Sequence, residues 1–118
     1  MELHITFNKT IKEIQDEFRK EFPFLTIEFF KKPHHDHEAS AAKDIYPHTM
    51  KVKEISSNPS EGVIEITKDM TVSELEETLE KKFGLHAQVF RKQRLDWIET
   101  TSTDDWTLEK QNQTGAEY

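Results

Sequence analysis

The densest group of side chains that could bind a metal lies in the stretch KKPHHDHEAS, residues 31–40. Its members are adjacent imidazoles and carboxylates: His34, His35, Asp36, His37 and Glu38. Neutral imidazole and carboxylate bind zinc, nickel and copper. Adjacent loop residues point in diverging directions, however, whereas known sites use fixed spacings such as His-x-x-x-His. We therefore interpret the stretch as a polar loop, and keep a metal site at His34, His35 and His37, or a weak pH response, as alternatives.

Acidic pairs are the other candidates for chemistry, at Asp104 and Asp105 and at Glu76 and Glu77. Such pairs are typical of helix starts and of solvated helix faces, so they do not indicate catalysis. The chain has no cysteine and only three glycines, which excludes a thiol nucleophile and a glycine-rich phosphate loop. We expect a protein that is not an enzyme and that needs no cofactor.

A third group combines aromatic and basic residues. Phe30 and Phe90 are predicted on one sheet face, with Arg91 and Lys92 beside them and Trp97 on the neighbouring strand. RNA-recognition domains stack bases on such a face, but 16 basic and 23 acidic residues give a net charge of −7, which repels phosphate backbones. We favour an interaction surface for an unknown protein partner or a homodimer. A single-stranded nucleic-acid binder, a metal-responsive protein, and rings covered by other parts of the chain remain the alternatives.

Two stretches of the chain align without a gap, TIKEIQDEFRKEF at residues 10–22 and TVSELEETLEKKF at residues 71–83. Both begin with Thr-x-x-Glu, the capping box that satisfies free amides at a helix start. Apolar residues then recur at helical spacing, which predicts two amphipathic helices. Alternating strands follow at residues 25–32 and 85–92, and shorter ones precede each helix.

This order predicts an α+β protein in which two βαβ repeats form a ferredoxin-like two-layer sandwich. We expect an extra hairpin strand at residues 95–100 and a short C-terminal helix that begins at Asp104. The 118 residues then form a single domain. Its parts are repeat 1 at about 1–32, a flexible loop at about 33–61, repeat 2 at about 62–93, and the added strand and helix at about 94–114. Within the loop, MKVKEI at residues 50–55 is a candidate short strand.

The N-terminal stretch MELHITFNKT lacks the basic and then apolar pattern of a signal peptide. No apolar run approaches the roughly 20 residues that span a bilayer. We therefore expect a soluble, cytoplasmic protein without a membrane partner.

Five short motifs stand out between residues 62 and 112: MTV-x-ELE, FGL, QVFRK, W-x-ETT and DDWTLE-x-QN. With these motifs the C-terminal half resembles an uncharacterised family of small soluble bacterial proteins. The resemblance implies membership of that family, but no activity, ligand or catalytic residue comes with it. The histidine-rich stretch lies outside it.

Overall fold

The helices and strands alternate along the chain in an α+β fold. The computed structural model describes residues 1–32 and 42–117. The elements are β1 (Glu2–Ile5), α1 (Ile11–Glu21), β2 (Leu25–Phe29), α2 (Val52–Ile55), β3 (Gly62–Glu65), α3 (Val72–Phe83), β4 (Ala87–Gln93), β5 (Asp96–Glu99) and α4 (Leu108–Ala116). Short 3-10 turns occupy Ala42–Asp44 and Thr101–Thr103. The predicted α+β class is confirmed.

Both long helices start with the predicted capping box. At the start of α1 the Thr10 hydroxyl accepts a hydrogen bond from the Glu13 backbone N–H at 3.2 Å, and the Glu13 carboxylate accepts one from the Thr10 N–H at 3.1 Å. That backbone hydrogen bond lowers the pKa of the Glu13 carboxyl. Thr71 and Glu74 repeat the arrangement at the start of α3. Gly84 ends α3 with a left-handed φ of 63°, which glycine adopts without a steric penalty.

The strands pair as two antiparallel sheets, not as one. β1 pairs with β3, with Leu3 opposite Ile64. β2, β4 and β5 form a separate sheet in that order, with Ile27 opposite Val89. Because the strands that follow the two helices pair directly with each other, neither β1 nor β3 fits between them. The ferredoxin-like arrangement of two repeats, which needs a single sheet, is therefore not confirmed.

The core lies between the apolar stripes of the helices and the inner faces of the sheets. The predicted stripe residues are all buried: Ile11, Ile14, Phe18 and Phe22 on or after α1, and Val72, Leu75, Leu79 and Phe83 on α3. On the three-stranded sheet, Leu25, Ile27 and Val89 are fully buried on the same face. Burying one such side chain contributes about 1.5–3 kcal/mol, so these positions dominate the stability of the fold.

The expected strand at residues 50–55 is wrong. Val52 begins a single helical turn, α2, and extended pairing is limited to a bridge between Thr10 and Lys51. Both Val52 and Ile55 are buried, because the turn packs beside the start of α1. A part of the interval expected to be a flexible loop thus belongs to the core.

The added hairpin is confirmed, whereas the C-terminal helix starts later than expected. β4 and β5 join through the two residues Arg94 and Leu95, with Gln93 opposite Asp96. The N-cap of α4 is Thr107 and not Asp104, because the Thr107 hydroxyl accepts the free backbone N–H of Lys110 at 3.1 Å. The order of β4, β5 and the C-terminal helix is as predicted.

Candidate functional site

The structure brings together two of the three aromatic residues predicted to bind a partner. Phe90 and Trp97 line the same cleft. Phe30 is only 1% exposed, and its backbone pairs with Ile45 beyond the end of β2. A side chain with so little exposed surface has almost nothing left to bury against a partner. Phe30 therefore takes no part in the site described below.

The two predicted basic residues lie on opposite faces of β4. Arg91 donates from Nη1 to Oε1 of Gln111 at 2.8 Å, and its guanidinium lies 5.6 Å from the Trp106 ring centroid. These contacts hold α4 against the sheet. Lys92 is opposite Trp97 in the β4–β5 register and so shares its face. Of the two cations, only Lys92 accompanies the rings.

A cleft of about 480 Å³ lies between α1 and the outer face of the three-stranded sheet. We call it the α1 cleft. It is lined by Lys12, Gln15, Asp16, Arg19, Thr26, Glu28, His48, Phe90 and Trp97. Its volume is within the range of about 300–1,000 Å³ that is typical of small-ligand sites.

One end of the α1 cleft is a hydrogen-bonded group of three side chains. Gln15 donates from Nε2 to the Ile27 carbonyl at 2.8 Å and to Oε1 of Glu28 at 3.1 Å. The same carboxylate oxygen lies 2.6 Å from Nε2 of His48. The arrangement holds the Glu28 carboxylate in one orientation, and it places a carboxylate and an imidazole where they can share a proton.

The other end of the α1 cleft is aromatic. Arg19, one helical turn after Gln15, places its guanidinium 5.1 Å from the centroid of the Trp97 ring. This is a cation–π contact. Phe90 lies opposite Thr26 on the adjoining strands, so its ring shares the outer sheet face with Trp97.

Beside the cleft, β5 forms the edge of the three-stranded sheet. Thr100 donates its backbone N–H to the Val89 carbonyl at 3.3 Å, so Thr100 bonds to β4. Bonded and non-bonded residues alternate along an antiparallel pair, and Trp97 therefore directs its backbone N–H and C=O away from β4. No other strand of the described chain pairs with this edge. Leu95, at the hairpin tip, is 95% exposed, and Trp97 is 37% exposed.

The predicted metal ligands His34, His35 and His37 lie outside the described residues. Within residues 1–32 and 42–117, no group of three or more His, Asp or Glu side chains is arranged to hold a metal ion. The acidic pairs are not brought into the cleft either. Glu76 is buried in α3 and accepts a hydrogen bond from the Val89 N–H at 2.8 Å, a structural role.

Sequence reasoning missed the polar end of the cleft. Gln15, Glu28 and His48 come from a helix, a strand and a connecting segment, and no fixed spacing joins them. Glutamine in an amphipathic helix and glutamate in an alternating strand are both ordinary surface residues. The one available signal was Gln15, which falls directly after Ile14 beside the apolar stripe.

Comparison of the chain with protein-family models, curated proteins and solved structures finds no match. The resemblance of the C-terminal half to a bacterial family thus stays a prediction. In the part of the chain that the structure describes, every helix is too short or too polar to cross a membrane.

Proposed function

We propose that the protein is a non-enzymatic interaction module that self-associates through the edge of β5. The proposal rests on one observation: a strand edge with which no other strand of the described residues pairs, and at which Trp97 is 37% exposed and the adjoining Leu95 is 95% exposed. Unpaired backbone groups at a sheet edge pair readily with a second strand. The two apolar side chains add the surface that makes such pairing favourable.

Symmetry limits how two copies of β5 can meet. A two-fold axis perpendicular to the sheet keeps every side chain on its own face, so residues of equal parity are paired. Pairing Trp97 with Trp97 of the second copy joins their outward backbone groups and sets one indole beside the other. Centring the axis on Asp96 instead opposes two carboxylates, and centring it on Ile98 sets Trp97 against Glu99, whereas the Trp97 register sets the smaller Leu95 against Glu99. The Trp97 register is therefore the most favourable.

Two features of the outer sheet face give less support to a nucleic-acid partner. Phe30 is buried, which leaves Phe90 and Trp97 as the available rings. Arg91 is held by Gln111 and Trp106, so it does not reach the same face. Together with a net charge of −7, these features favour a protein surface as the partner of β5.

Sedimentation equilibrium of the full chain tests the proposal. We expect a monomer–dimer equilibrium that Trp97→Ser and Leu95→Ser each weaken by about tenfold or more, because each removes apolar surface from the centre of the contact. Val63→Ser is the matched control, since Val63 is 46% exposed on β3, in the other sheet, and its loss is expected to leave the association unchanged. Raising the salt concentration is expected not to weaken the association, since two acidic chains repel each other less when screened.

A chain that stays monomeric at several hundred micromolar contradicts the proposal. So does an association that Val63→Ser weakens as much as Trp97→Ser. Binding of a mixed-sequence RNA by the monomer, lost steeply as salt rises, favours the nucleic-acid alternative instead.

A further inference from the structure

The α1 cleft contains two charged groups that make no ion pair with a lysine, arginine, aspartate or glutamate of the described chain. Lys12 and Asp16 form an ion pair at 3.2 Å, so their charges cancel. Arg19 lies over the Trp97 ring, and Glu28 is bonded to an amide and an imidazole. The cleft is thus neutral in sum, with a cation stacked on an aromatic ring at one end and a carboxylate bonded to an imidazole at the other.

The Glu28 carboxylate is held with one oxygen unused. Oε1 makes the contacts with Gln15 and His48. Among the described residues, no hydrogen bond reaches Oε2, although the side chain is only 18% exposed. A fixed, largely buried carboxylate with an unused acceptor suits an ammonium or another N–H donor, because charge-assisted hydrogen bonds are the stronger ones.

The contact to Glu28 and the side chain of Arg19 start from points about one turn apart on α1. Gln15, which contacts Glu28, and Arg19 are four residues apart, and four residues of a helix rise about 6 Å. A molecule whose ammonium and carboxylate are attached to the same carbon can bridge such a gap, since each hydrogen bond adds about 2.8 Å.

We propose that the α1 cleft binds a small zwitterion of the amino-acid type. Glu28 accepts the ammonium group, Arg19 donates to the carboxylate, and a large apolar side chain of the ligand packs against Phe90 and Trp97. This ligand site shares Trp97 with the proposed β5 contact, but its charged groups, Glu28 and Arg19, take no part in that contact.

Size and charge select this class of ligand. The cleft of about 480 Å³ holds an amino acid with an aromatic side chain, together with water. A nucleotide brings two or more negative charges, which a cleft of zero net charge inside an acidic chain does not balance. A purely apolar ligand displaces water from Arg19 and from Oε2 of Glu28 without replacing its hydrogen bonds, which costs free energy.

Calorimetric titration of the full chain with L-phenylalanine tests the proposal. N-acetyl-L-phenylalanine, which lacks the ammonium, and phenethylamine, which lacks the carboxylate, are the matched probes. We expect saturable binding of L-phenylalanine and at least about tenfold weaker binding of both analogues, because each leaves one charged group of the cleft unpaired. In NMR spectra the Trp97 indole signal is expected to shift and that of Trp106 to stay.

Two variants separate the roles of the charged groups. Glu28→Gln is expected to weaken the binding of L-phenylalanine by about tenfold or more. Phenethylamine is then expected to bind this variant no more tightly than N-acetyl-L-phenylalanine does. Arg19→Gln is expected to weaken the binding of L-phenylalanine by a similar factor and to leave the binding of phenethylamine unchanged. Glu77→Gln and Lys20→Gln, the same changes at exposed positions outside the cleft, are the controls and are expected to bind as the wild type does.

The proposal is overturned if L-phenylalanine, L-leucine and L-tryptophan all fail to saturate at millimolar concentration. It is also overturned if N-acetyl-L-phenylalanine binds as tightly as L-phenylalanine, or if adenosine binds more tightly than any of the amino acids. Sedimentation of Glu28→Gln is expected to match the wild type. A wild-type chain that dimerises without binding L-phenylalanine, or one that binds L-phenylalanine and stays monomeric, shows which of the two proposals has failed.

Discussion

The two helices that begin with the same capping box bury different polar residues at the same aligned position. Gln15 on α1 donates its amide to the Ile27 carbonyl at 2.8 Å. Glu76 on α3 accepts from the Val89 backbone N–H at 2.8 Å. Both side chains are buried and both reach the strand that follows their helix. The contact is therefore made twice, once by a donor and once by an acceptor.

At the aligned positions of the following strands, the carboxylate is on the α1 side and the amide is on the α3 side. Glu28 of β2 and Gln88 of β4 are directly opposite each other in the register. Glu28 faces the α1 cleft, whereas Gln88 is fully buried and neither its Nε2 nor its Oε1 has a hydrogen-bond partner among residues 1–32 and 42–117. One carboxylate, that of Glu76, is therefore bonded to the backbone, whereas that of Glu28 lies in the cleft where we propose a ligand.

The clefts beside the two helices differ in volume and in aromatic lining. The α1 cleft has two aromatic rings and a volume of about 480 Å³. The cleft along α3 measures about 300 Å³. It is lined by Met70, Glu74, Glu77, Thr78, Lys81 and Lys82, without an aromatic ring. Aromatic surface therefore lines the α1 cleft, where we propose the ligand site, and does not line the α3 cleft.

The largest expected effect tests what the two sides share. Phe22→Ala and Phe83→Ala remove rings that are 2% and 3% exposed at aligned positions. Each is expected to lower the free energy of unfolding by about 3–5 kcal/mol, because each leaves a cavity in the core. Urea unfolding measures both, and a variant that unfolds like the wild type contradicts its place in the core.

A smaller effect separates the two carboxylates. Glu76→Ala leaves the buried Val89 N–H without an acceptor and is expected to cost about 1–3 kcal/mol of unfolding free energy. Glu28→Ala is expected to cost less, since Gln15 keeps its hydrogen bond to Ile27. If urea unfolding gives the same cost for both, Glu28 is structural and the contrast between the two sides fails.

The unpaired amide of Gln88 predicts a gain of stability. Replacing it with leucine removes two polar atoms that pay a desolvation cost without a hydrogen bond, and the free energy of unfolding is expected to rise by about 1–2 kcal/mol. Gln88→Asn is the control that keeps a polar amide, and it is expected to bring no gain. A loss of stability in Gln88→Leu shows that the amide has a partner in solution.

The smallest effects concern the helix starts. Thr10→Ala and Thr71→Ala each remove one capping hydroxyl and are expected to cost about 1 kcal/mol. Thr10→Ser and Thr71→Ser keep the hydroxyl and are expected to stay close to the wild type. Equal losses at both positions support equivalent helix starts, whereas a cost at one alone shows that tertiary contacts hold the other.

Local features of the fold could be predicted because they depend on neighbours in the sequence. The capping boxes of Thr10 and Thr71, the helical stripes and the hairpin at Arg94 and Leu95 all follow from contacts within a few residues. The choice of strand partners does not. No local sequence pattern indicates that Ile27 pairs with Val89, which lies 62 positions later (89 − 27). The expectation of a single sheet was therefore wrong.

The candidate site was predictable only in part for the same reason. Strand alternation placed Phe90 on the outer face, and the hairpin brought Trp97 beside it. The same alternation placed Phe30 there, but the chain near Ile45 pairs with it and Phe30 is buried. Glu28 and His48 meet only in the folded chain, so no sequence pattern marks them.

The most direct test of self-association through β5 is its register. In the proposed dimer Leu95 lies opposite Glu99 of the second copy, with Cα atoms about 5.5 Å apart, a separation that a disulfide spans. The chain has no cysteine, so Leu95→Cys and Glu99→Cys each introduce a single thiol and keep Trp97. When the two variants are mixed and oxidised, we predict that the mixed disulfide predominates over both symmetric ones. The high exposure of position 95 would by itself favour a symmetric disulfide between two Leu95→Cys chains. If that disulfide forms as readily as the mixed one, the result contradicts the register and with it the proposed contact.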